Sequence, residues 1–224
     1  MIEHPKIPTS AMFDILKLGG SLLTDAHWPK RLNEWLEANS VTRSLLIVGG
    51  GEMIDAMRRL DAIYSLDQTA MHWRCVRMLR HTADVVSEIL SRQADFDVEL
   101  VTSTRRLIEV CGVDAPANPP LAVVYPDLFY ASNLREQVAL LENAPQVSFR
   151  INSQAVQPAV GWTTTTDAIA VYGAALLGAR RCVLLKSCDV DCYSTFEAAA
   201  AAGVIDPEAE RLTRYYPAVS LVRL

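Results

Sequence analysis

Apolar residues fall in short runs closed by glycine or a polar turn, and between them lie longer stretches with an apolar residue every three or four positions. The first run holds Met12, Phe13, Ile15, Leu16 and Leu18 and stops at Gly19-Gly20-Ser21; the second, 45–48, stops at Gly49-Gly50-Gly51-Glu52. Further strand-like runs lie at 98–101, at 121–125 before Pro126-Asp127, at 182–185 before Lys186, and at 219–224. A helix is expected near Pro29, with Leu32, Trp35 and Leu36 on its apolar face. Met53, Ile54, Met57 and Leu60 have the spacing of a buried stripe on a second. The longest covers about 68–92, with Met71, Cys75, Met78, Thr82, Val85 and Ile89 as its stripe.

The segment 102–104 can cap a helix through Leu107 and Ile108, and 112–120 is loop-like. A helix near 134–143 ends at Pro145. Thr163 to Thr166 supply N-cap candidates for a helix with Asp167 in its first turn, Ile169, Tyr172, Gly173 and Leu176 on one face, and Gly178 as its stop. The alanines of 198–202 suit a helix, and Asp206-Pro207 starts another. Residues 1–10 form a loose arm. Strand and helix alternate, which predicts an α/β fold with a parallel sheet.

Half of the 224 residues are hydrophobic, enough for one domain with a sizeable core. A net charge of −5 argues against nucleic acid as a partner, and no apolar run reaches the roughly 18 residues of a membrane span. The amino terminus has no secretory pattern, and five irregularly spaced cysteines fit reduced thiols, so a cytoplasmic location is expected. Cys188 and Cys192 lack histidine companions at zinc-site spacing, and no metal ligands are assigned.

Only four of the 21 basic residues are lysines, and two of them, Lys17 and Lys186, stand at the ends of strand-like runs. A compact ammonium there suits a phosphate or a developing negative charge. Glycines after a strand let backbone N–H groups approach an anion. His72, beside Trp73 in the long helix, is either a substrate contact or a packed histidine. Neither the G-x-x-x-x-G-K-[ST] loop nor G-x-G-x-x-G is present, and nothing suggests an acyl-transfer triad.

Lys17-Leu18-Gly19-Gly20-Ser21, Val48-Gly49-Gly50-Gly51-Glu52, Thr166-Asp167-Ala168 and Cys188-Asp189-Val190-Asp191 come in the order and spacing of the amino acid kinase family, which this chain resembles. Its short length, His72-Trp73 and Trp162 are most similar to the small kinases of methanofuran biosynthesis, which phosphorylate an aminomethylfuran phosphate. The resemblance implies a three-layer α/β/α sandwich around a mainly parallel sheet. One domain, 1–224, would comprise an acceptor-binding lobe, about 11–145, and a nucleotide-binding lobe, about 146–224. It implies transfer from MgATP, with ATP and its Mg2+ as cofactors, to a small phosphate- or carboxylate-bearing acceptor, and a homo-oligomer, dimer or higher. Lys17 and Asp167 would be catalytic, Lys17 over the moving phosphoryl group and Asp167 orienting the lysines. Gly19, Gly20, Ser21, Gly49, Gly50, Gly51 and His72 would hold acceptor and phosphate. Thr166, Lys186, Asp189 and Asp191 would serve the nucleotide.

Three departures point to the alternative, a non-catalytic nucleotide- or metabolite-binding relative acting as a regulatory or assembly subunit. Cys192 stands where the family has glycine, so strain is expected if that position needs a positive φ. Ala168 replaces a common serine, and the chain stops soon after Tyr215-Tyr216-Pro217, which implies a reduced adenine site or one completed by a neighbouring subunit.

Overall fold

A computed structural model describes residues 13–39, 43–93, 96–112, 121–130, 151–152, 154–216 and 218–224. In chain order the elements are β1 (Asp14–Leu18), α1 (Trp28–Ala38), β2 (Ser44–Val48), α2 (Gly51–Tyr64), α3 (Gln68–Ser91), β3 (Val98–Val101), α4 (Thr104–Cys111), β4 (Leu121–Val124), α5 (Thr166–Leu177), β5 (Cys182–Lys186), α6 (Phe196–Ala201), α7 (Pro207–Thr213) and β6 (Val219–Arg223). The strands form one sheet in the order β3-β4-β2-β1-β5-β6. Every pairing is parallel.

The inner strands are buried on both faces, which is why they read as continuous apolar runs. Phe13, Ile15, Leu45, Ile47 and Leu184 face a core completed by α4, α5 and α7; Leu16, Leu18, Leu46, Val48 and Leu185 face a second, completed by α1 and the carboxyl half of α3. The architecture is therefore a three-layer α/β/α sandwich, with the sheet wholly rather than mainly parallel. The one sheet spans both expected lobes; the boundary near 145–146 lies outside the described residues, as do the arm 1–10, the loop 113–120 and the helix at 134–143.

Asp14 opens β1 fully buried. Its carboxylate accepts two hydrogen bonds from Arg180, each 2.8 Å, and one from Arg181 at 2.9 Å. Those arginines precede β5, so the ion cluster ties the lower ends of two adjacent strands together.

Local chemistry sets the helix ends as expected. Ser103 caps α4 by accepting from the Arg106 N–H, Asp206 caps α7, and Gly178 ends α5 at φ 63°. Three expectations are corrected. The stripe of α2 is not buried: no residue of that helix is, and Met53 and Leu60 are exposed, because the periodicity marks an apolar face without specifying a cover. On α3 the buried stripe runs through Val76, Leu79, Ala83, Val86 and Leu90 as well as Met71, Cys75 and Thr82, while Val85 is exposed. The helix α5 is buried nearly all round rather than on one face, since it lies between the sheet and α7.

Candidate functional site

The order of the strands places the site. β1 lies between β2 and β5, so the chain leaves it toward opposite edges of the sheet, and a crevice opens beyond the carboxyl ends of these strands. Three turns meet there: 19–21 after β1, 49–51 after β2 and the segment after β5.

The glycines of the first two turns are required by each other. A Cβ on Gly20 would lie 2.2 Å from the Gly51 backbone nitrogen, and one on Gly49 would lie 2.5 Å from that of Gly20. Gly51 also has φ +53°, and its own Cβ would meet the Gly20 carbonyl oxygen at 2.8 Å. The turns thus pack backbone on backbone, a reason for glycine beyond ligand approach. The N–H of Gly19 donates to Leu185 O and that of Gly49 to Leu18 O, so neither is available to an anion. Among the described residues, no backbone carbonyl accepts from Gly20, Gly50 or Gly51. Ser21 Oγ and Ser187 Oγ lie 2.7 Å apart and join the first turn to the segment after β5.

Asp167 stands in the first turn of α5, and its carboxylate joins two cations. Lys17 Nζ, from β1, lies 2.9 Å from Oδ1, and Lys186 Nζ, from the end of β5, donates to Oδ2 at 2.7 Å. All three side chains are buried, at 5–7% exposure or less. Burial alone would push the Asp167 carboxyl up, but Lys17 and then Lys186 outweigh it and hold it below the usual carboxylate range. For Lys186, burial and then repulsion from Lys17 prevail over the attraction of Asp167 and bring the ammonium down to about 8. Lys17, Lys186 and Asp167 alone carry one net positive charge, which the neighbouring Asp206 offsets in part.

Asp206 lies beside this cluster. Its Oδ2 accepts from Thr165 N–H at 3.0 Å, Thr165 Oγ1 at 2.6 Å and Ala168 N–H at 3.2 Å, while Oδ1 accepts from Ala209 N–H. One carboxylate thereby fastens the starts of both α5 and α7. Burial, then the nearby Asp167 charge, pushes its carboxyl upward against those hydrogen bonds.

Above the cluster is a cleft of about 460 Å³, within the range of small-molecule sites. Of the expected site residues, Lys17, Gly20, Ser21, Gly49, Gly50, Gly51, His72, Thr166 and Asp167 line it. Lys186 reaches it through Asp167. Gly19 does not line it, and its N–H is committed to the sheet. Asp189 and Asp191 are exposed outside the cleft, where Asp189 Oδ1 accepts from Asp191 N–H at 3.0 Å and shapes their own turn. His72 is buried, its Nδ1 3.3 Å from both the oxygen and the nitrogen of Gly161, donating in one tautomer and accepting in the other. Burial holds its imidazole below the ordinary range against that contact, and its Nε2 has no partner among the described residues.

Asp206, Asp55 and Arg58 also line the cleft and were not legible as site residues. Asp206 was visible only as a helix cap; the others carry no local signature. The strain expected at Cys192 is absent, since Ser65 is the only described non-glycine residue with positive φ. Among the described residues no group of three or more His, Cys, Asp or Glu is placed to hold a metal, and no described helix is long and apolar enough to cross a membrane.

No family model matches the chain, and no curated protein does. What is established is an α/β/α protein with a lysine–aspartate–lysine cluster at the switch point of a parallel sheet.

Proposed function

We propose that the chain is an ATP-dependent kinase of a small phosphate- or carboxylate-bearing metabolite. The carrying observation is Asp167 held between Lys17 and Lys186 at the carboxyl ends of two neighbouring strands. Phosphoryl transfer needs alignment and charge neutralisation more than covalent help. An acceptor oxygen attacks the γ-phosphorus, the bond to the bridging oxygen breaks, and ADP leaves. Lys17 and Lys186 offset the charge on the equatorial and leaving oxygens. Asp167 aims both ammonium groups while touching neither substrate. Gly20, Gly50 and Gly51 line the same cleft, and their N–H groups, unused by any described backbone carbonyl, are the further donors of this reading. This donor set fits a polyphosphate, and Mg2+ enters with the nucleotide.

The acceptor suggested by the sequence resemblance is aminomethylfuran phosphate. The test is ADP release from MgATP with aminomethylfuran phosphate, UMP, isopentenyl phosphate and acetylglutamate as acceptors. Turnover with one of them, reduced about 10²- to 10³-fold in Lys17→Ala, supports the reading. Nucleotide binding without turnover on any acceptor favours the non-catalytic alternative.

A further inference from the structure

We propose that Trp162 is the acceptor-specificity residue of this cleft and that Asp61 is its positioning residue; this rests on the kinase reading. Gly161 and Trp162 lie just before α5, yet their contacts reach far back along the chain to α2 and α3. The Trp162 indole N–H donates to Asp61 Oδ2 at 2.6 Å across 101 residues. Arg58, one turn earlier on α2, sets its guanidinium 5.5 Å from the centre of the Trp162 ring. His72 on α3 meets the Gly161 backbone.

Asp61 does not need Trp162 to be satisfied. Its Oδ1 accepts from the Leu66 N–H and its Oδ2 from Gln68 Nε2, both at 2.9 Å, at the α2–α3 turn where Ser65 takes its positive φ. The turn thus holds Asp61 through hydrogen bonds of its own, and the indole bond is an added, charge-assisted contact that orients the ring. Gly161 gives the strap its bend: φ is +144°, and a Cβ there would meet nothing within 4 Å, so the backbone conformation alone demands glycine.

The lining of the cleft is chemically mixed. Lys17 and the glycine turns contribute groups suited to an anion, whereas Trp162, Ile54, Val76 and Ile169 contribute apolar and aromatic surface. The acceptor class that matches is a small anion with a flat or apolar body, in preference to a polyol phosphate. With Asp61 fixing the indole, the body of the acceptor meets a surface already in place, so less ordering is needed on binding.

Asp61→Asn and Trp162→Phe test this. In protein carrying 15N-tryptophan, hydrogen exchange of the Trp162 indole N–H, assigned by its disappearance in Trp162→Phe, is expected to be slow in the wild type and fast in Asp61→Asn. In kinetics on the responding acceptor, each variant is expected to raise acceptor KM about tenfold with MgATP KM changed less than about twofold, and the double variant to be no worse than either single one. A merely structural role would instead lower melting temperature and affect both substrates alike. Fast wild-type indole exchange, or turnover with acceptor KM unchanged in both variants, overturns the proposal while the kinase reading stands. Absence of turnover on every acceptor overturns both.

Discussion

Replacing Asp167 with asparagine should change the pH at which Lys186 stops working. Lys186 Nζ lies 2.7 Å from the Asp167 carboxylate, a gross attraction of about 6 kcal/mol at an effective dielectric of about 20. Despite it, the ammonium sits at about 8 rather than the usual 10.5, so the site holds it charged at a net disadvantage of about 3 kcal/mol. Losing only a fifth to a quarter of that attraction lowers the Lys186 pKa by about one, to about 7. The assay is kcat/KM for MgATP between pH 6 and pH 10. The wild type should lose activity as pH rises through about 8, where Lys186 gives up its proton. Asp167→Asn should show this alkaline limb near or below pH 7, under a plateau about 10²- to 10³-fold lower. Unfolding does not mimic the wild-type limb. Between about 8 and 10.5 the unfolded chain binds the Lys186 proton more than the folded chain does, so this group makes stability rise with pH while activity falls. A wild-type profile flat to pH 10, or the same alkaline limb in both proteins, would refute the reasoning.

Gly20→Ala should lower stability by about 2 kcal/mol or more, since its Cβ would meet Gly51 backbone, whereas Gly178→Ala, with φ +63° and open space, should cost about 1 kcal/mol; thermal melts of the pair decide whether turn packing or backbone conformation matters more. Asp206→Ala should cost about 3 kcal/mol in urea unfolding, because it strands the amides of Thr165, Ala168 and Ala209 at two helix starts; a loss below about 1 kcal/mol would show those amides finding water instead. In the native protein a thiol reagent should reach Cys188 and Cys192 quickly and leave Cys111 and Cys182 until unfolding, since burial both shields those two and pushes their thiols up; fast reaction of either would contradict the packing.

The strands were legible because each is a short apolar run with a conspicuous end. β3 matches its expected limits, and β2 gains only Ser44. The lysine–aspartate–lysine cluster was legible through the resemblance and through the position of both lysines at strand ends. Other features depend on contacts a single sequence does not display. Met53 and Leu60 follow a helical repeat that is the same whether the face is covered or bare. Val76 and Leu79 entered the core of α3 because the helix is rotated slightly from the stripe its strongest apolar residues suggested. The bond between Asp61 and Trp162 joins two unremarkable positions 101 residues apart. The glycine turns are expected from close approach to an anion; the structure shows them packed against each other, which nothing in 19–21 reveals.

The strand β1 is only five residues long, yet it carries a charge at each end on opposite faces of the sheet. Asp14 shares its face with Leu16 and Leu18 and is gripped by Arg180 and Arg181; Lys17 shares its face with Ile15 and is gripped by Asp167. Sliding the strand by one residue would swap the faces, strand both charges in apolar layers and break both attachments at once. A central strand of uniform apolar residues could settle against its neighbours in several alignments. Here the charges act as keys that admit one alignment, and one of the two, Lys17, also lines the crevice.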